Sequence, residues 1–166
     1  GFGKSTGQRN EKKVYEYCQV AYDWLQERYA EDQIVIYGRS MGSGFAAKTA
    51  SNNQPKMLVL DAPYYSFIRL AKRYTWIIPL KYILKYDIPL HKFVKRTACP
   101  IYIIHGSKDK LIPYKFSLKL KKENPKIKLF TIKGAKHNNL PSFPKYQKAL
   151  YNILNHPDAI DKTNFS

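Results

Sequence analysis

Four short apolar runs separated by helix-like segments constrain the fold of this 166-residue chain most strongly. The runs lie at residues 33–37, 57–60, 100–104 and 127–132. Runs of this length that are mainly apolar, without strict polar alternation, are typical of strands buried on both faces. Strands that alternate with helices pair in parallel, because each return crossing is a helix. We therefore predict an α/β fold, a mostly parallel sheet with helices on both faces.

Helical periodicity fills most of the chain between these runs. Asn10 followed by Glu11 is a typical helix start. Beyond it, apolar side chains recur at spacings of three and four and predict one buried face, formed by Val14, Cys18, Ala21, Leu25 and Tyr29. Further helices are predicted at residues 43–52, about 114–123 and about 145–154.

Residues 65 to about 98 interrupt this alternation. They contain a helix-like stretch at residues 67–74 and then a proline-punctuated run of aromatic and aliphatic residues with interspersed lysines. An insertion at the carboxyl ends of parallel strands lies where ligands bind in such sheets. We therefore expect one domain over residues 1–166, with a small helical cap at about 65–98 over the functional site. The alternative is a peripheral helical hairpin without substrate contact.

Composition narrows the class of protein. No apolar run reaches the length of about 18 residues that a membrane-spanning helix requires. The two cysteines, Cys18 and Cys99, form neither a disulfide framework nor a metal motif. The net charge is +17, and residues 56–166 hold 22 Lys and Arg against 6 Asp and Glu. Because these cations are scattered between elements, we expect a solvated lysine-rich surface and no nucleic-acid interface.

The clearest chemical signal is the sequence Gly-Arg-Ser-Met-Gly at residues 38–42, which follows the first apolar run and precedes a predicted helix. Its two glycines allow a sharp strand-to-helix turn that lifts the Ser40 hydroxyl clear of the sheet. A serine alone is a poor nucleophile, so this interpretation requires a base and an acid. Asp109 follows the third apolar run and His137 the fourth, and we expect both to converge with Ser40. Asp61, at the end of the second run, is an alternative acid, and His105 is expected to pack beneath the site.

Four motifs in this order resemble the alpha/beta hydrolases, in particular the branch with serine aminopeptidase-like, monoacylglycerol lipase-like and depalmitoylase-like domains. The motifs are GRSMGSG at 38–44, DAPYYS at 61–66, HGSKD at 105–109 with Ile112-Pro113, and GAKHNN at 134–139. The resemblance implies that Ser40 attacks an acyl carbonyl, His137 accepts its proton and Asp109 holds the imidazole in its productive tautomer. It implies that the Met41 amide lies in the oxyanion hole, and it implies no cofactor and no metal ion.

The resemblance also implies that part of the domain is missing. In such enzymes a segment like the glycine-rich residues 1–7 follows the fourth strand of the sheet. We therefore expect an N-terminally incomplete domain that lacks the first strands and the loop donating the second oxyanion-hole amide. The run at residues 33–37 would then be a bare apolar edge. A phosphate-binding loop at Gly3-Lys4-Ser5 is not expected, because the next helix begins only near Glu11.

The expected function is therefore that of a serine hydrolase acting on a carboxylic ester or thioester, with peptide cleavage less favoured. The alternative is an inactive fragment or a non-catalytic hydrolase-like binding module. Tyr64, Tyr65 and Trp76 are candidates for lining a pocket for a small-molecule or lipid-like acyl substrate, although ordinary core packing explains them equally well. Cations interleaved with the apolar cap suggest peripheral association with an anionic membrane.

Overall fold

A computed structural model of the chain describes residues 10–74, 87–157 and 160. These residues form a four-stranded parallel sheet in the spatial order β1–β2–β3–β4. The strands are β1 Val35–Arg39, β2 Met57–Asp61, β3 Ile101–Gly106 and β4 Lys128–Ile132. The described α-helices are α1 Glu11–Gln26, α2 Gly42–Asn52, α3 Phe67–Ala71, α4 Leu90–Arg96, α5 Lys115–Glu123 and α6 Pro144–Asn155.

Helices cover both faces of the sheet. Leu58 and Leu60 of β2 pack with residues of α2, α4 and α5 on one face. Met57 and Val59, which alternate with them, pack with residues of α6 on the other. The central strands β2 and β3 are buried along their whole length, as their apolar sequences require. The predicted α/β fold with a mostly parallel sheet is confirmed.

The strand register places the loops that follow the strands at the same end of the sheet, the carboxyl end of its strands. Arg39 pairs with Asp61, Asp61 pairs with Ile104, and Gly106 pairs with Ile132. Parallel strands carry their following loops on the same side. The loops after β1, β3 and β4 therefore leave the sheet close together.

Strand β1 is one edge of the sheet that the described residues form. Val35 and Ile36 are half-buried, and Tyr37 is 46% exposed. The apolar edge expected from the sequence is therefore present, with backbone groups on its outer side that no described strand pairs.

The predicted buried face of α1 is wrong in part. Ala21 and Tyr29 are exposed, and the helix ends at Gln26. Tyr22 is buried instead, and its hydroxyl donates a hydrogen bond of 2.7 Å to Glu31. The face is displaced because a tyrosine can bury its ring while its hydroxyl keeps a polar partner.

The expected cap falls partly outside the described residues. The structure describes α3, the 3₁₀ helix Lys72–Tyr74 and α4, whereas residues 75–86, which include Trp76, lie outside it, as does the glycine-rich segment at 1–7. The hydroxyl of Tyr74 donates to the backbone carbonyl of Leu111 at 2.9 Å. Tyr74, which directly precedes residues 75–86, is thus hydrogen-bonded to the loop after β3. Among the helices described, none has both the length and the apolar character to cross a membrane.

Candidate active site

Ser40 lies at a sharp turn between β1 and α2. Its φ of 51° is in the left-handed region that residues with a side chain rarely adopt. The Ser40 amide donates to the carbonyl of Asp61 at 2.9 Å, and the Ser40 carbonyl accepts from the amide of Ser43 at 3.1 Å and from its hydroxyl at 2.5 Å. These bonds hold the strained residue, so its side chain projects at the start of α2.

Small residues let α2 approach this turn closely. A Cβ added to Gly38 would lie 2.5 Å from the Cβ of Ala46, closer than real contacts allow. A Cβ on Gly44 would overlap the hydroxyl of Tyr64. Tyr64 is fully buried, burial raises the pKa of its phenol, and its hydroxyl donates to the carbonyl of Met41 at 3.4 Å. Tyr64 therefore supports the turn from beneath.

The structure brings Ser40, His137 and Asp109 into one chain of hydrogen bonds. His137 Nδ1 lies 2.7 Å from Asp109 Oδ2, and His137 Nε2 lies 3.1 Å from Ser40 Oγ. A carboxylate can only accept, so Nδ1 carries the imidazole proton in the neutral ring. Nε2 is then free to accept the proton of the serine hydroxyl. The arrangement provides a hydroxyl whose proton has a base within reach.

The Asp109 carboxylate is kept ionised by its neighbours. Burial, the largest single influence, raises the pKa of this carboxyl, but hydrogen bonds from His105 and His137 and from the amide of Ile112 outweigh it. The net result is a pKa well below the ordinary value. The Ile112 amide donates to Oδ1 at 2.8 Å, which leaves Oδ2 for His137. Asp109 can therefore accept from the imidazole at neutral pH.

His105 lies beneath Asp109, in agreement with the packing position predicted from the sequence. The side chain is fully buried, with Nε2 2.9 Å from the carbonyl of Ile112 and 3.4 Å from Asp109 Oδ2. Its Nδ1 lies 2.6 Å from the hydroxyl of Ser117, which is also buried. Because the Ile112 carbonyl only accepts, the neutral ring carries its proton on Nε2 and accepts from Ser117. His105 thus fixes the loop that presents Asp109.

The sequence matches the dienelactone hydrolase family over residues 2–157. The chain belongs to the dienelactone hydrolase family. The prediction of an alpha/beta hydrolase is thereby confirmed at the level of the superfamily.

Relatives of this dienelactone hydrolase family member include larger proteins. Alpha/beta hydrolase domain-containing protein 17C of Xenopus tropicalis is 26% identical over 162 residues, which cover 94% of this chain and 50% of the relative. The chain spans about half the length of the curated relatives that it matches.

Two solved structures show the same fold. An esterase of Pyrococcus furiosus superposes with a TM-score of 0.68 at 20% identity, over 92% of this chain and 65% of its own. A monoacylglycerol lipase of Paleococcus ferrophilus superposes with a TM-score of 0.64 at 18% identity, over 97% of this chain and 80% of its own.

Asp61, the alternative acid considered from the sequence, has other hydrogen-bond partners. Its Oδ2 accepts from the hydroxyl of Tyr37 at 2.7 Å and from that of Tyr146 at 2.9 Å. The guanidinium of Arg39 lies 3.5 Å from the same oxygen. His137 Nδ1 donates its hydrogen bond to Asp109 and not to Asp61, so the geometry favours Asp109 as the acid.

The predicted pocket residues lie in different surroundings. Met41, whose amide is the expected oxyanion donor, stands at the N-cap of α2 with its side chain 53% exposed. Tyr65 stacks on His91 with ring centroids 4.4 Å apart, and its hydroxyl donates to Glu123 at 2.5 Å. Glu123, the partner of Tyr65, is the last residue of α5, whereas Asp109 lies in the loop before the first residue of that helix. Trp76 lies outside the described residues.

Sequence reasoning missed the role of Arg39 in this dienelactone hydrolase family member. Its guanidinium Nη2 donates to the backbone carbonyl of His137 at 3.0 Å across 98 residues of sequence. The only available signal was a cation directly before the serine, which by itself indicates no partner. Within the described stretches, no group of three or more His, Cys, Asp or Glu side chains is placed to hold a metal ion.

Proposed function

We propose that the whole protein is a serine hydrolase that cleaves a carboxylic ester or thioester, and that this chain carries its three reactive residues. The observation that supports the proposal most directly is the hydrogen-bond chain from Ser40 through His137 to Asp109. Membership of a hydrolase family and structural likeness to proteins named esterase and lipase favour an ester over a peptide.

The proposed reaction proceeds through an acyl-enzyme. Ser40 Oγ attacks the acyl carbonyl carbon while its proton passes to His137 Nε2, and Asp109 stabilises the resulting imidazolium. The carbonyl oxygen becomes an oxyanion, for which the Met41 amide at the start of α2 is a donor. Collapse breaks the bond to the alkoxide or thiolate, which takes the proton from His137. Water then attacks the acyl-enzyme in the same way and releases the carboxylic acid.

The surface beside the reactive residues favours an apolar acyl group. Met41, next to Ser40, is 53% exposed, and Leu111, two residues after Asp109, is 48% exposed. Tyr74 bonds to the Leu111 carbonyl, which supports a cap formed by residues 65–98 above this surface. A substrate contact for Trp76 stays a prediction.

For the other two pocket candidates, core packing is the better supported alternative. Tyr64 is fully buried beneath α2, the helix that follows Ser40. Tyr65 contacts Arg69, His91 and Glu123, none of which belongs to the reactive trio.

A further element of the proposal is peripheral association with an anionic membrane. Lys72 and Arg73 are exposed and directly precede Tyr74, whose hydroxyl donates to the carbonyl of Leu111 in the loop after β3. Cations beside exposed apolar side chains suit a surface of anionic lipid. The full-length protein should sediment with vesicles containing phosphatidylserine at low salt and remain in solution with neutral vesicles. Equal sedimentation with both, or salt-sensitive binding to nucleic acid alone, would contradict this element.

The test of hydrolase activity uses the full-length protein and a fluorophosphonate probe. Labelling is expected in the wild type and absent in Ser40→Ala. Ser51→Ala is the matched control, because Ser51 lies on the same helix and its hydroxyl donates to the carbonyl of Lys48. Absence of labelling in the wild type, together with no turnover of a short acyl ester, would favour a non-catalytic binding module.

A further inference from the structure

Arg39 connects the nucleophile turn to the backbone of the base. It directly precedes Ser40, and its Nη2 donates to the carbonyl of His137 at 3.0 Å. The same guanidinium also faces Asp61, with Nε 3.5 Å from Oδ2. One side chain therefore contacts both the loop that carries the base and a buried acid.

Asp61 is held rigidly where Arg39 meets it. Its side chain is completely buried, and Tyr37 and Tyr146 both donate to Oδ2, at 2.7 Å and 2.9 Å. Burial raises the pKa of both phenols, so both are protonated donors at neutral pH. Asp61 Oδ1 is buried without a hydrogen-bond partner among the residues that the structure describes. Arg39 places a cation beside this buried carboxyl group, at the oxygen to which the two phenols donate.

The loop of His137 is otherwise fixed on either side of the histidine. The amide of Gly134 donates to Ser107 Oγ at 2.9 Å, and the carbonyl of Ala135 accepts from Lys108 at 2.9 Å. On the other side, Asn139 accepts from the Lys136 amide at 2.7 Å. The hydrogen bond from Arg39 is made to the backbone carbonyl of His137 itself. It therefore holds the backbone from which the imidazole projects.

We infer that Arg39, anchored by Asp61, is a positioning residue that sets the place of the His137 imidazole relative to Ser40. The inference rests on the proposed function for its kinetic consequence. A displacement of about 1 Å at a reacting group can cost roughly 100-fold in rate. Asp61, which stands at a strand end like Asp109, acts through Arg39 and not as the acid of the trio.

The experiment compares Arg39→Gln, Arg39→Lys, Asp61→Asn and the double variant Arg39→Gln/Asp61→Asn in the full-length protein, with p-nitrophenyl acetate as substrate. Arg39→Gln should lower kcat about 10- to 100-fold while KM changes little, because substrate contacts remain. Arg39→Lys, which keeps the charge, should recover part of the loss. The double variant should lose no more than the worse single variant, because the two residues act as one unit.

Arg28→Gln is the matched control, because Arg28 is a similarly exposed arginine that also pairs with a carboxylate, here the exposed one of Glu27. The second readout needs no turnover. The proton that His137 Nδ1 shares with Asp109 should give a protected downfield NMR resonance, retained in Arg28→Gln and lost or exchange-broadened in Arg39→Gln. Near-UV circular dichroism confirms that each variant is folded at the assay temperature.

The outcomes separate the two claims. Unchanged kcat and an unchanged resonance in Arg39→Gln would overturn the positioning role, as would fully additive losses in the double variant. An inactive, unlabelled wild type whose resonance still depends on Arg39 would overturn the hydrolase proposal while supporting the positioning role.

Discussion

Gly106, the last residue of β3, lies directly against the backbone of Ala135 in the loop that carries His137. A Cβ at Gly106 would overlap the Ala135 carbonyl oxygen and lie 2.8 Å from the carbonyl carbon. The obstacle is backbone, which cannot rotate away as a side chain can. The absence of one methyl group thus lets the loops of Asp109 and His137 pack side by side.

Gly106→Ala should therefore destabilise the protein and separate the two loops. We expect the free energy of unfolding in urea to fall by about 1–3 kcal/mol, as for other overpacked sites. Gly42→Ala is the stability control, because nothing other than its chain neighbours and the backbone of its own helix lies within 4 Å of its added Cβ. Equal unfolding midpoints for the two variants would contradict the steric reading.

The strained backbone of Ser40 predicts an unusual order of stabilities. At a φ of 51°, glycine is relaxed whereas alanine is not. Ser40→Gly should be more stable than Ser40→Ala by about 1 kcal/mol, although both lose the hydroxyl. Thermal unfolding of the two variants measures the difference. A less stable glycine variant would show that the turn carries no strain.

The lowered pKa of Asp109 predicts how stability depends on pH. A carboxyl whose pKa is lower in the folded state stabilises that state above its unfolded value, about 3.9, and this contribution is lost as the pH falls further. The difference in unfolding free energy between wild type and Asp109→Asn should be constant near neutral pH and shrink below about pH 4. A difference that grows on acidification would contradict the assignment.

Turnover by Asp109→Asn should drop by roughly a thousandfold or more, because the imidazole loses its preferred tautomer.

The buried pair of His105 and Ser117 predicts a structural rather than a chemical defect. Ser117→Ala leaves the Nδ1 of a fully buried histidine without its donor. We expect a loss of about 1–3 kcal/mol of unfolding free energy, measured in urea. Ser51→Ala, which removes a bond near the surface of α2, should cost less than about 0.5 kcal/mol. Similar costs for both would indicate that His105 finds another partner.

Local sequence patterns predicted the strands and helices because each depends mainly on neighbouring residues. The same patterns singled out Ser40, Asp109 and His137, whose catalytic roles stay predictions. The strand, turn and helix around Ser40 are encoded within residues 33–52, and the observed β1 begins only two residues after the predicted start. The helix predicted near residues 114–123 is observed at Lys115–Glu123. Where the prediction failed, on the inner face of α1, a tyrosine hydroxyl reaches a glutamate outside the helix.

The support around the site could not be predicted, because it depends on pairs of residues distant in sequence. Tyr146 meets Asp61 across 85 residues, and Arg39 meets His137 across 98. No periodicity records such pairs, since any arginine or tyrosine at the end of an element satisfies the same pattern. The register of β1 against β2 places Arg39 beside Asp61, and the packing of α6 and of the loop after β4 brings Tyr146 and His137 to them.

The contact between Ser40 and His137 joins positions 97 residues apart, and all four strands lie between or beside them. Closing so long a loop is entropically costly until the intervening strands have paired. Under the proposed function, a serine-directed reagent would therefore remain unreactive toward partly assembled chains. The rate at which labelling competence returns after dilution from urea would then time the completion of the sheet.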